Sequence, residues 1–394
     1  MPQQQQLQLE NVVNGYTEKD YLTKQIVTYL GNKRSLLPLI DYATGLVSKE
    51  LGTDQLSFLD VFSGSGIVSR FFKTKANYLM SNDLEPYAEI INRCYLSTYT
   101  NELWDELVSS YQQLTQLIEK EWVSDGFIAE LYAPKDDNNI MRGERAFYTR
   151  RNAEYLDTAR KAIAKLPPSK QFFFLAPLLS SASIHVNTSG VFKGFYKDAN
   201  GIGCFGGRGK NALSRILGNI EVELPTLSPH ECEINVTRLE ACDAIREAPH
   251  VNVAYFDPPY NQHPYGSNYF MLNLLTRYER PQDISTVSGI PKEWNRSNFN
   301  KKAKAKTELF QIIEKCDADF ILVSYNSEGF IEYDDFITFM STLGDLRVIE
   351  TDYNTFRGSR NLRQRDIHVK EPRAFARGGF KRDCKKTGSV IPAA

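Results

Sequence analysis

The sequence predicts an α/β protein built on a doubly wound, mostly parallel sheet. Three observations predict it. The apolar run Leu56-Ser57-Phe58-Leu59-Asp60-Val61-Phe62 reads as a buried strand and enters the glycine turn Ser63-Gly64-Ser65-Gly66, with a helical stretch from Ile67 to Phe72 behind it. A second strand pattern, Tyr78-Leu79-Met80-Ser81-Asn82-Asp83, ends on an acid and precedes a helix through Ile90 and Leu96. A third run, Val251 to Phe256, stops at Asp257-Pro258-Pro259-Tyr260, because two prolines cannot continue a ladder. Units of this β–turn–α–β kind form half of a doubly wound sheet, which binds ligands beyond the carboxyl ends of its strands.

Bulk properties narrow the class. The 394 residues suffice for about two domains, or one with a large insertion. A hydrophobic content of 42% against 24% charged residues implies a soluble globular chain. No apolar run approaches the roughly 20 residues of a membrane span. The polar start, Met-Pro-Gln-Gln-Gln-Gln, lacks the apolar stretch of a signal peptide, so a cytoplasmic location is expected. The six cysteines form no CxxC pair and the five histidines are dispersed, so no metal site and no disulfide framework is expected. A net charge of −1 argues against a uniformly basic nucleic-acid binder but leaves room for local basic surfaces.

The remaining elements fill in along the chain. Residues 1–20 are expected to be flexible. The sheet domain is expected over 21–96 and 231–370, with a helix-like pattern across 24–51 and further strands near Ile234, over Phe320–Asn326 and from Arg347. The segment 281–306, polar with a lysine cluster, reads as a loop. Residues 97–230 change character and read as an insertion, opening with helices such as Glu102–Trp122. The stretch from Asn187 to Lys210 is glycine-rich, basic and aromatic. Lys193, Lys197, Arg208, Lys210 and Arg215 suit phosphates, and Phe192, Phe195 and Tyr196 suit packing against bases; an ordinary surface loop is the other reading. The segment Tyr353–Lys386, with Arg357, Arg360 and Arg363, is either a phosphate-binding surface or a solvated tail, and 371–394 reads as a basic C-terminal tail.

Two constellations carry chemistry. Glycines let the 63–66 turn approach a ligand closely. Asp83, at the end of the next strand, suits the two hydroxyls of a ribose, with a helix cap as its alternative role. The missing third glycine disfavours NAD. The second constellation is Asp257–Tyr260. The lone pair of an exocyclic amine such as adenine N6 is delocalised into the ring and is a poor nucleophile. A carboxylate (Asp257) and a backbone carbonyl (Pro258) that accept its N–H bonds localise that pair and aim it, while Tyr260 stacks on the base. Positioning then supplies most of the acceleration toward a strong electrophile.

This ordered set resembles the Dam-type, alpha-order family of DNA N6-adenine methyltransferases, many of them partners of restriction endonucleases, over most of residues 24–370. The resemblance implies a Rossmann-like methyltransferase sheet with an inserted, mainly helical target-recognition domain over 97–230. It implies S-adenosylmethionine as cofactor and double-stranded DNA as substrate. Tyr29-x-Gly31-x-Lys33 resembles the N-terminal cofactor motif, so Tyr29 and Lys33 would contact the methionine portion. Asp60 to Gly66 resembles the Phe-x-Gly-x-Gly turn, which makes Asp60, Phe62, Gly64 and Gly66 cofactor residues, with Asp83 as the ribose acid. Cys242-Asp243-Ala244 stands where the family reads the cofactor adenine. Asp257, Pro258, Pro259 and Tyr260 resemble the catalytic motif, with Asp257 also facing the cofactor. Ser324-Tyr325-Asn326-Ser327-Glu328-Gly329 resembles the strand-end motif lining the target pocket. Asn187-x-x-Gly190-x-Phe192 resembles a signature in or beside the recognition domain, which makes Asn187, Lys193, Lys197, Arg208 and Lys210, with Arg357 and Arg360, DNA-binding candidates. The expected activity is site-specific methylation of adenine N6 by base flipping, protecting DNA from a cognate restriction endonuclease. An RNA adenine or protein amide N-methyltransferase and a non-catalytic DNA-binding module are the alternatives. The absence of a Pro-Cys pair argues against cytosine C5 chemistry.

Overall fold

A computed structural model describes residues 18–349, apart from 25, 211 and 326–328, together with segments 351–353, 369–371, 374–377 and 388–390. Five parallel strands carry the fold: β1 (Leu56–Asp60), β2 (Ala76–Asn82), β3 (Glu233–Thr237), β4 (Val251–Phe256) and β5 (Ala318–Val323). Their order is β5-β4-β1-β2-β3. The chain therefore winds outward from β1 to β3 and then restarts on the other side at β4. The reversal puts a topological switch point between β1 and β4, where such sheets form a crevice. Helices cover both faces, so β1 and β4 bury side chains of either parity. Phe58 and Leu59 are both buried, as are Val253 and Ala254.

Register aligns the functional ends. Asp60 pairs with Tyr255, Phe256 with Val323, and Asn82 with Thr237. The residues that follow, Val61, Asp83, Asp257 and Ser324, emerge along one edge of the sheet.

Several expectations need correction. Residues 18–20, expected to be flexible, open the short helix Glu18–Thr23. The polar segment 281–306 is not loop throughout, because the helix Lys302–Lys315 begins within it. The stretch read as a C-terminal tail adds strands beyond β5: segment 374–377 runs antiparallel to it and 388–390 parallel. Residues 1–17 and 354–368, including Arg357, Arg360 and Arg363, lie outside the described residues.

The insertion is helical over Asn101–Lys120, Phe127–Tyr132, Arg150–Ile163 and Pro168–Ile184. Thr100 and Thr149 cap two of these helices by accepting from the N–H groups of Leu103 and Asn152. The apolar faces do not form a separate core. Leu114, Leu156 and Leu178 share one cluster with Tyr87 and Ile91 of the helix Pro86–Tyr95 and with Leu275 of the helix Phe270–Arg277. The insertion thus continues the layer that flanks the sheet. Among the described residues no helix is long and apolar enough to cross a membrane, and no group of three or more His, Cys, Asp or Glu side chains is placed to hold a metal.

The glycine turn after β1 needs its glycines for two reasons. Gly64 and Gly66 have φ of +50° and +74°, a region that L-residues disfavour. A Cβ on Gly66 would also stand 2.4 Å from Asn92 Oδ1. Asn92 cannot easily yield, since it is buried and donates to Ser63 Oγ (3.0 Å) and the Ala88 carbonyl (2.9 Å). Gly66→Ala should therefore lower stability by about 1–3 kcal/mol in urea denaturation; a variant as stable as the parent would contradict this account of the turn.

Candidate active site

The strand ends bring the turn and the acid together. Asp83 Oδ2 accepts from the Gly64 N–H (2.8 Å) and Oδ1 from the Glu85 N–H (2.9 Å). One carboxylate so ties the turn after β1 to the end of β2. Burial pushes its pKa upward, against the pull of these N–H groups.

The segment before the sheet arrives from the opposite side. Leu30 is gripped by two tyrosines: its N–H donates to Tyr269 Oη (2.7 Å) and its carbonyl accepts from Tyr265 Oη (3.1 Å). The Tyr29 ring stacks on both, with centroids 5.1 Å from Tyr265 and 4.8 Å from Tyr269. Asn32 then caps a single 3₁₀ turn, Lys33–Leu36, by accepting from the Arg34 N–H. The turn delivers Lys33, buried, to the end of β4. Its Nζ donates to the Gly31 carbonyl (2.9 Å) and pairs with Asp257 Oδ2 (2.9 Å). Burial lifts the Asp257 pKa, and the Lys33 ammonium pulls it back. Tyr260 is partly buried, and its carbonyl accepts from the Phe330 N–H (3.2 Å).

Most of these groups line one cleft of about 720 Å³, its open mouth included; Lys33, Tyr260 and Tyr269 are not among its lining residues. Tyr29, Phe62, Gly64, Asp83, Asp257 and Pro259, all singled out from the sequence, line it. It carries four acids, Asp83, Glu85, Glu240 and Asp257, and no lysine or arginine among its described lining residues. A strand-end carboxylate beside a close-approach turn, with a paired Asp in the same lining, can hold a ribose-bearing cation and orient an amine.

A sequence model of the D12 class of N6 adenine-specific DNA methyltransferases matches residues 29–339. The chain belongs to this family. It is similar to the type II methyltransferase M.CviAII of Paramecium bursaria Chlorella virus 1, 28% identical over 338 residues, covering 84% of this chain and 93% of that protein. M.NlaIII of Neisseria lactamica is 26% identical over 347 residues, covering 85% and 93%. M.FokI of Planomicrobium okeanokoites is 24% identical over 353 residues, covering 86% of this chain but 51% of that longer protein.

Other expected residues of the methyltransferase lie away from the cleft lining. Asp60 is fully buried behind the turn, where Oδ2 accepts from Ser69 Oγ (2.6 Å) and burial lifts its pKa to about 7. Gly66 packs on Asn92. Asp243 is half-exposed and paired with Arg246 (2.7 Å); Leu239, Glu240 and Ala241 line the cleft at that end instead. Pro258 is buried. At the end of β5, the Ser324 N–H donates to the Phe256 carbonyl (2.7 Å), and Tyr325 Oη accepts from the Ile331 N–H (3.0 Å). Residues 326–328 are outside the described set.

Sequence reasoning missed Glu85, Tyr265 and Tyr269. Glu85 lines the cleft, accepts from Asn273 Nδ2 (2.5 Å), and is lifted to about 7 by burial. The available signal for the tyrosines was their i, i+4 spacing just after Tyr260.

The DNA-binding candidates divide. Asn187 is fully buried: Nδ2 donates to the carbonyls of Ala146 (2.8 Å) and Cys204 (3.2 Å), and Oδ1 accepts from the Gly206 N–H (3.0 Å). It locks the loop and faces no solvent. Phe192 is in the core against Tyr269 and Phe270, so it is no wedge. Arg215 clamps the carbonyls of Val186 (3.0 Å), Thr188 (3.4 Å) and Ile184. Lys193, Arg208 and Lys210 are exposed, and Lys197 lies over the Phe195 ring. Asn187→Ala should cost about 2–4 kcal/mol through the polar groups it strands, and leave the salt dependence of DNA binding unchanged below the melting temperature. Weakened DNA binding at full stability would instead restore Asn187 as a DNA contact.

Proposed function

We propose that this chain transfers the methyl group of S-adenosylmethionine to adenine N6 at one sequence in duplex DNA, flipping the base out to do so. The relatives' printed names, type II methyltransferase and modification methylase, support a role in shielding that DNA from a cognate restriction endonuclease. The observation that carries the reading is the buried Lys33–Asp257 pair, whose Asp257 lines the cleft that Asp83 anchors.

The donor set suits this cofactor. Each Asp83 oxygen accepts one backbone N–H and keeps a lone pair for a ribose hydroxyl. The acid-rich lining suits a ligand bearing a sulfonium and an ammonium. Asp83 would hold the ribose, Tyr29 and Gly31 the methionine end, and Leu239 to Ala241 the adenine. When bound, S-adenosylmethionine supplies a methyl group on a positively charged sulfur, already a strong electrophile.

The chain's own groups prepare the amine. Unstacking the target base costs a few kcal/mol. With Oδ2 held by Lys33, Asp257 offers Oδ1 to one N6–H, and the Pro258 carbonyl takes the other. Both accept and neither donates, so the N6 lone pair is left to point at the methyl group. Lys33 favours that arrangement by holding Asp257 ionised, since a protonated Asp257 would donate where acceptance is needed. Tyr260 packs against the base.

Labelled S-adenosylmethionine and unmethylated duplex DNA should yield N6-methyladenine on nucleoside analysis. Asp257→Ala should lose about 10²–10⁴-fold in turnover while still binding cofactor; full activity in that variant, or no labelled DNA from the wild type, overturns the mechanism. Lys33→Gln removes the group that lowers the Asp257 pKa. The acid limb of its turnover–pH profile should therefore move to higher pH, and an unmoved limb would remove Lys33 from the role given it.

A further inference from the structure

We propose that the lip of the cleft is a phosphate-binding arc, running from Lys193 and His263 through Asn261 and Asn300 to Lys301, Lys302 and Lys304, which holds the DNA backbone beside the target base. The arc rests on the DNA-methylating reading and adds a contact surface to it.

Contacts make the arc continuous. Lys193 Nζ is 3.5 Å from His263 Nδ1. The His263 N–H donates to Asn261 Oδ1 (2.9 Å), and the Asn261 carbonyl accepts from Asn300 Nδ2 (2.8 Å). Lys301 follows directly and opens the helix Lys302–Lys315. The loop after Tyr260 is thus held between two basic segments far apart in sequence.

Lys301 Nζ donates to Asn298 Oδ1 (3.0 Å), a contact that requires no positive charge, and no other side-chain contact accounts for the charge of Lys302 or Lys304 among the described residues. Lys301, Lys302 and Lys304 are exposed. Among the described residues none pairs with a carboxylate, whereas Lys306 pairs with Asp335 (2.6 Å). They crowd the positive end of a helix dipole, with no acid in the first turn and no side-chain cap. Charges of that sign are unfavourable there, and Lys302 and Lys306 are like charges at i, i+4. Stability alone would select acids at this position.

Location supplies the reason. A base entering the cleft beside Asp257 brings its flanking phosphates to the lip. The cleft lining is acidic and repels them, so a basic rim is where they can rest. The lysine side chains, rather than the helix N–H groups, do the binding.

The test is DNA affinity against salt, measured by anisotropy on a labelled random-sequence duplex. The double variant Lys302→Gln/Lys304→Gln should flatten the log–log slope by about 0.9 per lost contact, about 1.8 in all. Lys193→Gln should flatten it by about 0.9. Cofactor binding should be unchanged and the melting temperature equal or higher, because the removed charges oppose the dipole. Lys302→Arg/Lys304→Arg should restore the slope. An unchanged slope in the glutamine variants overturns the arc even where the wild type makes N6-methyladenine. A flattened slope with no N6-methyladenine from the wild type supports the arc and counts against the catalytic reading.

Discussion

The Lys33–Asp257 ion pair is the constraint around which the rest is arranged. Lys33 is almost fully buried and Asp257 largely so. Pairs of this kind return little net stability, because desolvation offsets the attraction. Its geometry is nevertheless over-determined. Gly31, at φ +71°, turns the chain, and its own carbonyl takes a second hydrogen bond from Lys33. Asn32 starts the 3₁₀ turn, and two tyrosine hydroxyls fix Leu30. A segment that precedes the first strand is thereby locked to the end of the fourth. Such investment in an electrostatically indifferent pair makes sense where the carboxylate must stay ionised and aimed.

The same tyrosines connect the site to the insertion. Tyr269 grips Leu30 through its hydroxyl and meets Phe192 through its ring. The Phe192 N–H donates to the Asn268 carbonyl (2.8 Å). Residues 265–277 therefore join three things: the loop at Tyr29–Asn32, the loop after Tyr260, and the basic loop that Asn187 locks. Because the insertion shares a core with this helix, movement of the basic loop relative to Asp257 would require repacking Phe192, Tyr269 and Phe270 together. That rigidity suits a reaction whose acceleration comes from positioning.

Much of this was legible from local pattern. β4 and its stop at Asp257 followed from an apolar run meeting two prolines, and β1 from an apolar run meeting a glycine turn. Those signals are carried by neighbours in sequence. Residues whose structural partners differ from what their sequence neighbours suggest share the opposite property. Asn187 reads as a DNA contact because it sits among basic and aromatic residues, yet its partners are Ala146, Cys204 and Gly206. Nothing local announces the carbonyl at 146. Arg215 likewise has partners its neighbours do not announce, the carbonyls of Ile184, Val186 and Thr188. The helix at Lys302 was hidden differently. Its start carries lysines where a helix ordinarily carries a cap and acids, so the usual start signal is inverted.

That inversion fits a sorting of charge across the site. The floor gathers Asp83, Glu85, Glu240 and Asp257, with Asp60 buried behind them, and one ammonium, Lys33, set against Asp257. Burial raises the pKa of each of these five acids, because desolvation disfavours their charged forms, and Lys33 opposes that shift at Asp257. A floor like this favours a cationic donor and a neutral base, and rejects a phosphate. Nucleic acid presents both a neutral base and an anionic backbone, so one surface cannot suit the two at once. On the proposed reading, acidic groups at strand ends and basic groups on the loops above separate them, with the base passing inward to Asp257 and its backbone held at the lip. The sheet supplies the first because its strand ends converge at the switch point. The second falls to loops and a helix start, which can bear unpaired lysines in solvent at little cost to the core.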